Sequence, residues 1–563
     1  MSHELIIRGG NVVDGTGTEP RRADVALDGD RISRMGNLES VEAARTIDAA
    51  GKLVTPGFID LHTHLDAQVG WDPEMKSSSY HGVTTALIGN CGVTFAPVSK
   101  ANHQQMAQLM EAVEDIAADA IMDGLPWDWT SYGEYLDSVQ ALKPALNVVG
   151  LAGHSAIRFE AMGDKSMDEG QQADDKELEH ICRLVRESVE QGAVGFSTSR
   201  FLGHKVPDGR LTPGTWADAR ETQAIQEAVV AGGGAGGLFQ VAPDMQSRRS
   251  SELAMFSRGA ELGCHVMYSG GAGFRGDGGV AETEEFLARH NENGRRMTAI
   301  CHTRPSGAMF GLAQATPIRN SAWKSLMALP TIADRLDALR DPATKKHLLE
   351  RSLATGFQAN PAQLHSMGLG TTPDYDMQGK NSLAQIAEAE GRDPVETYID
   401  RLIASEGREL WNYWAFGAAL ENQWAYMRMD NCIPMLADSG AHVGIFTDTD
   451  SPTFLLSELT RRQGVYTLPQ AIHRITQASA NVLGLKDRGV VKEGYVADLN
   501  IIDYENLETG YPYYVNDFPH NGGRYIVESQ GYVATLVGGK PIVEAGKHTG
   551  QRPGQVIREF SRG

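Results

Sequence analysis

The chain is predicted to be an α/β protein, a (β/α)8 TIM barrel with a small β-sandwich domain built from both chain ends. Three observations point there: eight short apolar runs alternate with helical segments, polar residues collect just after those runs, and both ends carry strand-and-turn patterning. Parallel strands buried on both faces read as continuous apolar runs, and these eight do.

The elements follow in order. The first 50 residues hold short β-like runs, ELIIRGGNVVDG and ADVALDGDRISRMG, the second with a hairpin-type Asp-Gly pair. Strand-like runs then occur at 57–64, 82–90, 146–154, 192–199, 236–242, 264–270, 296–302 and 432–437. Helical segments such as KELEHICRLVRESVEQG separate them, and no G-x-G-x-x-G opens the first crossover, which argues against a doubly wound open sheet. Between the seventh and eighth runs a helix-rich stretch at about 305–430 far exceeds an ordinary βα connection and reads as an insertion over the barrel mouth. Its aromatics, in ELWNYWAFGAALENQWAYM, are expected to form its own core. GYVADLNIID and GRYIVESQGYVATLVGGKPIVEAG return to β grammar near the other end. The predicted domains are therefore 1–55 with 485–550 as a composite β-sandwich, and 56–484 as the barrel.

Bulk properties narrow the function. The 563 residues are 41% hydrophobic and 22% charged, with no apolar run long enough to span a membrane. A formal net charge of −21 disfavours a nucleic-acid partner, since phosphate binding needs a basic surface. Five cysteines in apolar surroundings and an opening, MSHELIIRGG, without an export pattern predict a cytoplasmic protein. A small-molecule substrate and a possible homo-oligomer are the partners expected.

The chemistry concentrates in PGFIDLHTHLD, residues 56–66. Strand side chains alternate, so His62 and His64 share one face, and with the Asp66 carboxylate they suit one divalent metal. Such a pair alone is common as surface or core histidines. Here Cys91, His154, His302 and Asp438 follow other runs, at what would be the same end of a barrel.

Further motifs carry a resemblance: RGGNVVDGTG, HGVTTALIGNCGVTFAPV, GHSAIR, GAVGFSTS, LADSGAH, GVVKEGYVADLNIID and HTGQRPG. With PGFIDLHTHLD they resemble the metal-dependent amidohydrolase superfamily, in its N-acyl-D-amino-acid deacylase (D-aminoacylase) branch. GNCG, in place of the superfamily's more usual strand-four lysine bridge, marks that branch. The resemblance implies hydrolysis of a C–N bond other than a peptide bond, releasing a carboxylate and a free amino acid. It implies a metal site of His62, His64, Cys91 and Asp438, filled by zinc. Asp438 would be the catalytic general base and acid, taking a proton from the attacking water and passing it to the departing amine nitrogen.

The departures matter as much. In the resembling deacylases strand five ends in an ATH-like motif and strand six in SHH, and both histidines hold the tight zinc. Here strand five reads GGLFQVAPD and strand six CHVMYSGGAG, so one ion is expected rather than two. His265 lies at the start of strand six and is expected to be structural, while His204 is a candidate further ligand. His154, Arg200, His302 and Arg304 are candidate substrate contacts, the arginines as a clamp for a substrate carboxylate. Asp448 and Asp450 read as ordinary loop residues. A cyclic amide or imide hydrolase, and a catalytically lapsed barrel acting as a binding protein, are the alternative functions.

Overall fold

The computed structural model describes residues 2–271 and 279–561. Every apolar run foreseen as a barrel strand is one: Phe58–Asp60, Val83–Ile88, Asn147–Gly153, Gly195–Ser199, Leu238–Ala242, His265–Ser269, Arg296–Ile300 and Cys432–Ile433. They form one sheet in sequence order with parallel neighbours. Beyond the first and eighth strands Thr63 bridges Ser439, and the Asp438 N–H donates to the His62 carbonyl at 3.0 Å. This closes the barrel at the end where the candidate residues lie.

The strands form because they are rich in apolar and β-branched residues that are buried on both faces; all six residues of Val83–Ile88 are buried. The helices form because their apolar residues recur at helical spacing. Asp175–Glu190 buries Ile181, Val185 and Val189, and a capping box of Asp174 with Glu177 starts it.

A nine-stranded sheet joins the two ends of the described chain. His3–Val12, Arg21–Asp28, Arg31–Gly36, Ala43–Asp48 and Leu53–Pro56 meet Leu499–Ile502, Tyr532–Val537, Lys540–Glu544 and Lys547–His548. The seam is the antiparallel pairing of Leu53–Pro56 with Leu499–Ile502. Ile7, Val25, Leu27, Val54, Leu499, Ile501 and Leu536 fill its core. The Asp28-Gly29 pair does make the expected hairpin: Asp28 faces Arg31, and Gly29 takes φ +60°. Residues 508–530 instead make short hairpins whose Phe518 and Tyr525 join the barrel's apolar core. Val556 returns to pair with Val148 of the third barrel strand.

The stretch between the seventh and eighth strands has a core of its own, including Leu312, Trp323, Leu339, Leu364, Tyr398, Leu402 and Trp411. A three-stranded antiparallel sheet, Met309–Phe310, Trp411–Tyr413 and Leu364–Ser366, anchors it. Among its aromatics Trp411 and Trp414 are buried, while Phe416 stays 41% exposed. Among the described residues no helix is long and apolar enough to cross a membrane.

Candidate metal centre

His62 and His64 leave the first barrel strand on one face, and their Nε2 atoms lie 3.3 Å apart. Cys91 Sγ sits 3.2 Å from His62 Nε2. These three donors are buried and lie within 4.8 Å of one another. Asp438 adds Oδ1 at 3.3 Å from His64 Nε2 and 3.5 Å from His62 Nε2. Its side chain is 20% exposed, so the carboxylate faces the mouth.

The backbone that presents these groups is unusual. Cys91 has φ 55° and Asp438 φ 52°, a left-handed conformation that residues other than glycine rarely adopt. Hydrogen bonds hold the Cys91 turn: its N–H donates to Gln240 Oε1 at 3.0 Å, and the Gly92 N–H to Ser197 Oγ at 3.0 Å. Ser197 Oγ in turn donates to the Gly89 carbonyl. Gln240 belongs to the fifth strand, where a histidine was expected to be missing, and its amide supports Cys91 from there. Ser269, on the sixth strand, lies 3.5 Å from His62 Nδ1. Glu114, the buried last residue of helix His103–Glu114, brings Oε1 to 2.9 Å from His64 Nδ1.

The donors fit a divalent ion. Nitrogens bound about 2.0–2.1 Å from one tetrahedral zinc stand about 3.3–3.4 Å apart. The observed 3.3 Å between the two Nε2 atoms matches that edge. Two imidazoles, a thiol and a carboxylate form a borderline-soft set suited to zinc.

Electrostatics differ between the two imidazoles, and a cation at the site would have to displace the proton that His64 otherwise favours. Burial drives the His62 pKa down to about 3, keeping its imidazole neutral as a ligand must be. Burial opposes charge on His64 too, but Glu114 and Asp438 outweigh it and lift its pKa well above the usual value. Burial pushes the Asp438 carboxyl upward, yet His64 and His62 hold it below the ordinary carboxylate range. Burial raises the Cys91 thiol, so a thiolate there needs a cation beside it.

Other predicted residues fall elsewhere. Asp66 does not reach the cluster: its oxygens accept from the Gly89 N–H at 3.1 Å and the Tyr135 hydroxyl at 3.4 Å, and burial raises its pKa to about 7. His154, wholly buried, contacts Glu221 at 2.8 Å and Thr198 at 2.8 Å, inside a packed network with Arg158. Arg200 pairs with Glu252 at 3.1 Å and donates to the Ala217 carbonyl. Arg304, 2% exposed, pairs with Asp448 and Asp450 at 2.7 Å each and lies 4.0 Å over Tyr375. Both arginines expected as a carboxylate clamp are thus engaged in buried ion pairs, Arg200 with Glu252 and Arg304 with Asp448 and Asp450. Asp448 and Asp450 lie in the segment after the eighth strand, as expected, but are buried as the ion-pair partners of Arg304. His302 is half-buried, its ring 6.3 Å from that of Phe416, with Nδ1 3.7 Å from Asp448. His204 contacts Ser199 Oγ at 2.7 Å and lies outside the donor cluster. His265 packs against Thr298 Oγ1 at 2.9 Å, the structural role expected of it. Glu114 and Gln240 were not singled out from the sequence: Glu114 lies outside the motifs, and Gln240, although within GGLFQVAPD, is a common residue type with no spacing signal.

A parallel barrel with histidine, cysteine and aspartate donors converging at its C-terminal mouth defines a metal-dependent hydrolase. The chain belongs to the amidohydrolase family, whose model matches residues 45–314 and 368–543. The unmatched stretch between them falls within the insertion. A D-aminoacylase of Alcaligenes xylosoxydans xylosoxydans is 26% identical over 558 residues, spanning 98% of this chain and 97% of that protein. An N-acyl-D-glutamate deacylase of the same organism is 27% identical over 511 residues, 90% of this chain and 88% of its own length. Among solved structures, an N-acyl-D-glutamate deacylase from Bordetella bronchiseptica, complexed with zinc and a phosphonate mimic of the tetrahedral intermediate, has the same fold. It superposes with a TM-score of 0.68 at 22% identity, covering 99% of this chain and 100% of that one.

Proposed function

We infer that the protein hydrolyses the linear amide of an N-acyl-D-amino acid, releasing a carboxylate and the free amino acid. One zinc ion, held by His62, His64, Cys91 and Asp438, serves the site. The observation that carries this reading is the convergence of two Nε2 atoms, Sγ and Oδ1 with contacts of 3.2–3.5 Å. The named relatives support the D configuration and the linear amide.

When bound, the ion supplies the Lewis acidity that polarises an amide carbonyl and acidifies water. The rest falls to the side chains. Asp438 faces the mouth beside His62 and His64, where its carboxylate can accept a proton from the attacking water. It then returns that proton to the amine nitrogen as the C–N bond breaks. His62 and His64 orient that carboxylate, and Gln240 and Ser197 fix the turn from which Cys91 projects.

The test is hydrolysis of a panel of N-acyl-D- and N-acyl-L-amino acids and cyclic amides by the zinc-loaded protein and by Asp438→Asn. Cleavage of D-substrates, reduced at least about 10²-fold in the variant, is expected. Equal rates in both proteins, or turnover confined to cyclic amides, would overturn the reading.

A further inference from the structure

The two imidazoles of the cluster are supported differently. His62 turns Nδ1 toward a neutral hydroxyl, Ser269 Oγ at 3.5 Å. His64 turns Nδ1 toward a carboxylate, Glu114 Oε1 at 2.9 Å, while its Nε2 faces His62 and Asp438.

Glu114 is an expensive residue to keep where it is. It is 1% exposed, and it ends helix His103–Glu114, where the helix dipole opposes a negative charge. A buried carboxylate is kept only where a counter-charge or donor compensates its lost hydration. Among the described residues its carboxylate pairs only with His64 Nδ1, 2.9 Å from Oε1, and no second donor reaches either oxygen. Its own carbonyl accepts from the Val443 N–H at 3.2 Å, which ties the helix end to the loop just after Asp438. The helix thus delivers one carboxylate to the back of one histidine.

We propose that Glu114 is the positioning residue of the metal centre, holding the proton on His64 Nδ1 so that the Nε2 lone pair is presented to the ion. This rests on the reading that His64 is a ligand. The carboxylate fixes the tautomer and ring orientation and makes the imidazole a stronger donor. In a site whose fifth and sixth strands bring no histidine to the cluster, that support falls on a ligand supplied by the first strand.

Zinc affinity, measured by competition with a chromophoric chelator, tests this in the full-length wild type, Glu114→Gln and His64→Ala. Glu114→Gln keeps the shape and removes the charge, and it is expected to bind zinc about 10- to 100-fold more weakly. Unchanged affinity in Glu114→Gln with weakened binding in His64→Ala would make Glu114 mere packing. Unchanged affinity in both would overturn the ligand role of His64 as well. The wild-type protein gives a check independent of folding of the variants. In its zinc-loaded form, nitrogen-resolved NMR should show His64 protonated at Nδ1, and a proton on Nε2 instead would reject the proposal.

Discussion

Single residues at this site are held against local preference. Cys91 and Asp438 both adopt left-handed backbone angles, which cost a non-glycine residue of order 1–3 kcal/mol unless the surroundings enforce them. For Cys91 the enforcement is visible in Gln240 and Ser197. Cys91→Ala should retain the fold but lose zinc on dialysis more readily than wild type, measured as metal content per chain. Undiminished retention would remove Cys91 from the ligand set. His265, at the opposite end of the barrel, makes a prediction about pH. Burial, with Arg296 adding to it, lowers its pKa from 6.5 to about 3. The unfolded chain therefore takes up a proton near pH 6.5 that the native site refuses until about pH 3. Its contribution to stability is complete above pH 6.5 and is lost as pH falls through that window, at about 1.4 kcal/mol per unit. Tm of His265→Asn should fall less steeply than that of wild type between pH 6.5 and 4, and parallel curves would reject the assignment. The four proposed ligands were legible in the sequence because each sits in a short motif just after an apolar run. Glu114 was not, since nothing within its own helix distinguishes a buried carboxylate from a solvated one.

Among elements, the loops after the seventh and eighth strands are locked by one buried charge cluster. Arg304 is gripped by Asp448 and Asp450, and Asp450 also accepts from the Tyr375 hydroxyl at 2.7 Å and Thr509 Oγ1 at 2.8 Å. Tyr375 belongs to the insertion and Thr509 to a hairpin near the far end, so four segments meet on this pair. Removing one partner strands the others in low dielectric, and Arg304→Met is expected to cost about 3–5 kcal/mol, read from urea unfolding. A change under 1 kcal/mol would show the cluster to be hydrated instead. The insertion, having its own core, should respond separately: Trp411→Ala, a truncation worth about 3–5 kcal/mol, should raise amide exchange within residues 308–413 and leave the barrel strands protected. The eight strands could be read directly, because continuous apolar runs between helices have few other uses. FTDTDSP could not, because its composition is that of a turn and its burial depends on an arginine about 145 positions away in sequence.

At the scale of the whole molecule, metal and fold are linked. The proposed ligands come from the ends of the first, second and eighth strands, the last two of them far apart in sequence, so an ion held there favours the closed barrel over the unfolded chain. Chelation should lower Tm, and added zinc should restore it in a concentration-dependent way, the folded state gaining about 2.7 kcal/mol when free metal is 100-fold above its Kd. An identical Tm with and without chelator would place the ion outside the folding equilibrium. The pairing of the two ends was foreseen from matching strand-and-turn grammar, but the return of Val556 to Val148 was not, since a single bridge has no periodic signal. The seam between Leu53–Pro56 and Leu499–Ile502 also has a consequence for biosynthesis. At about 5–20 residues per second, the strands made first wait tens of seconds for a partner that emerges only after the barrel. During translation they expose an unpaired edge of the kind that recruits other chains. Ribosomes stalled before residue 499 should therefore carry nascent chains that aggregate or bind chaperones, even where the barrel itself has begun to form.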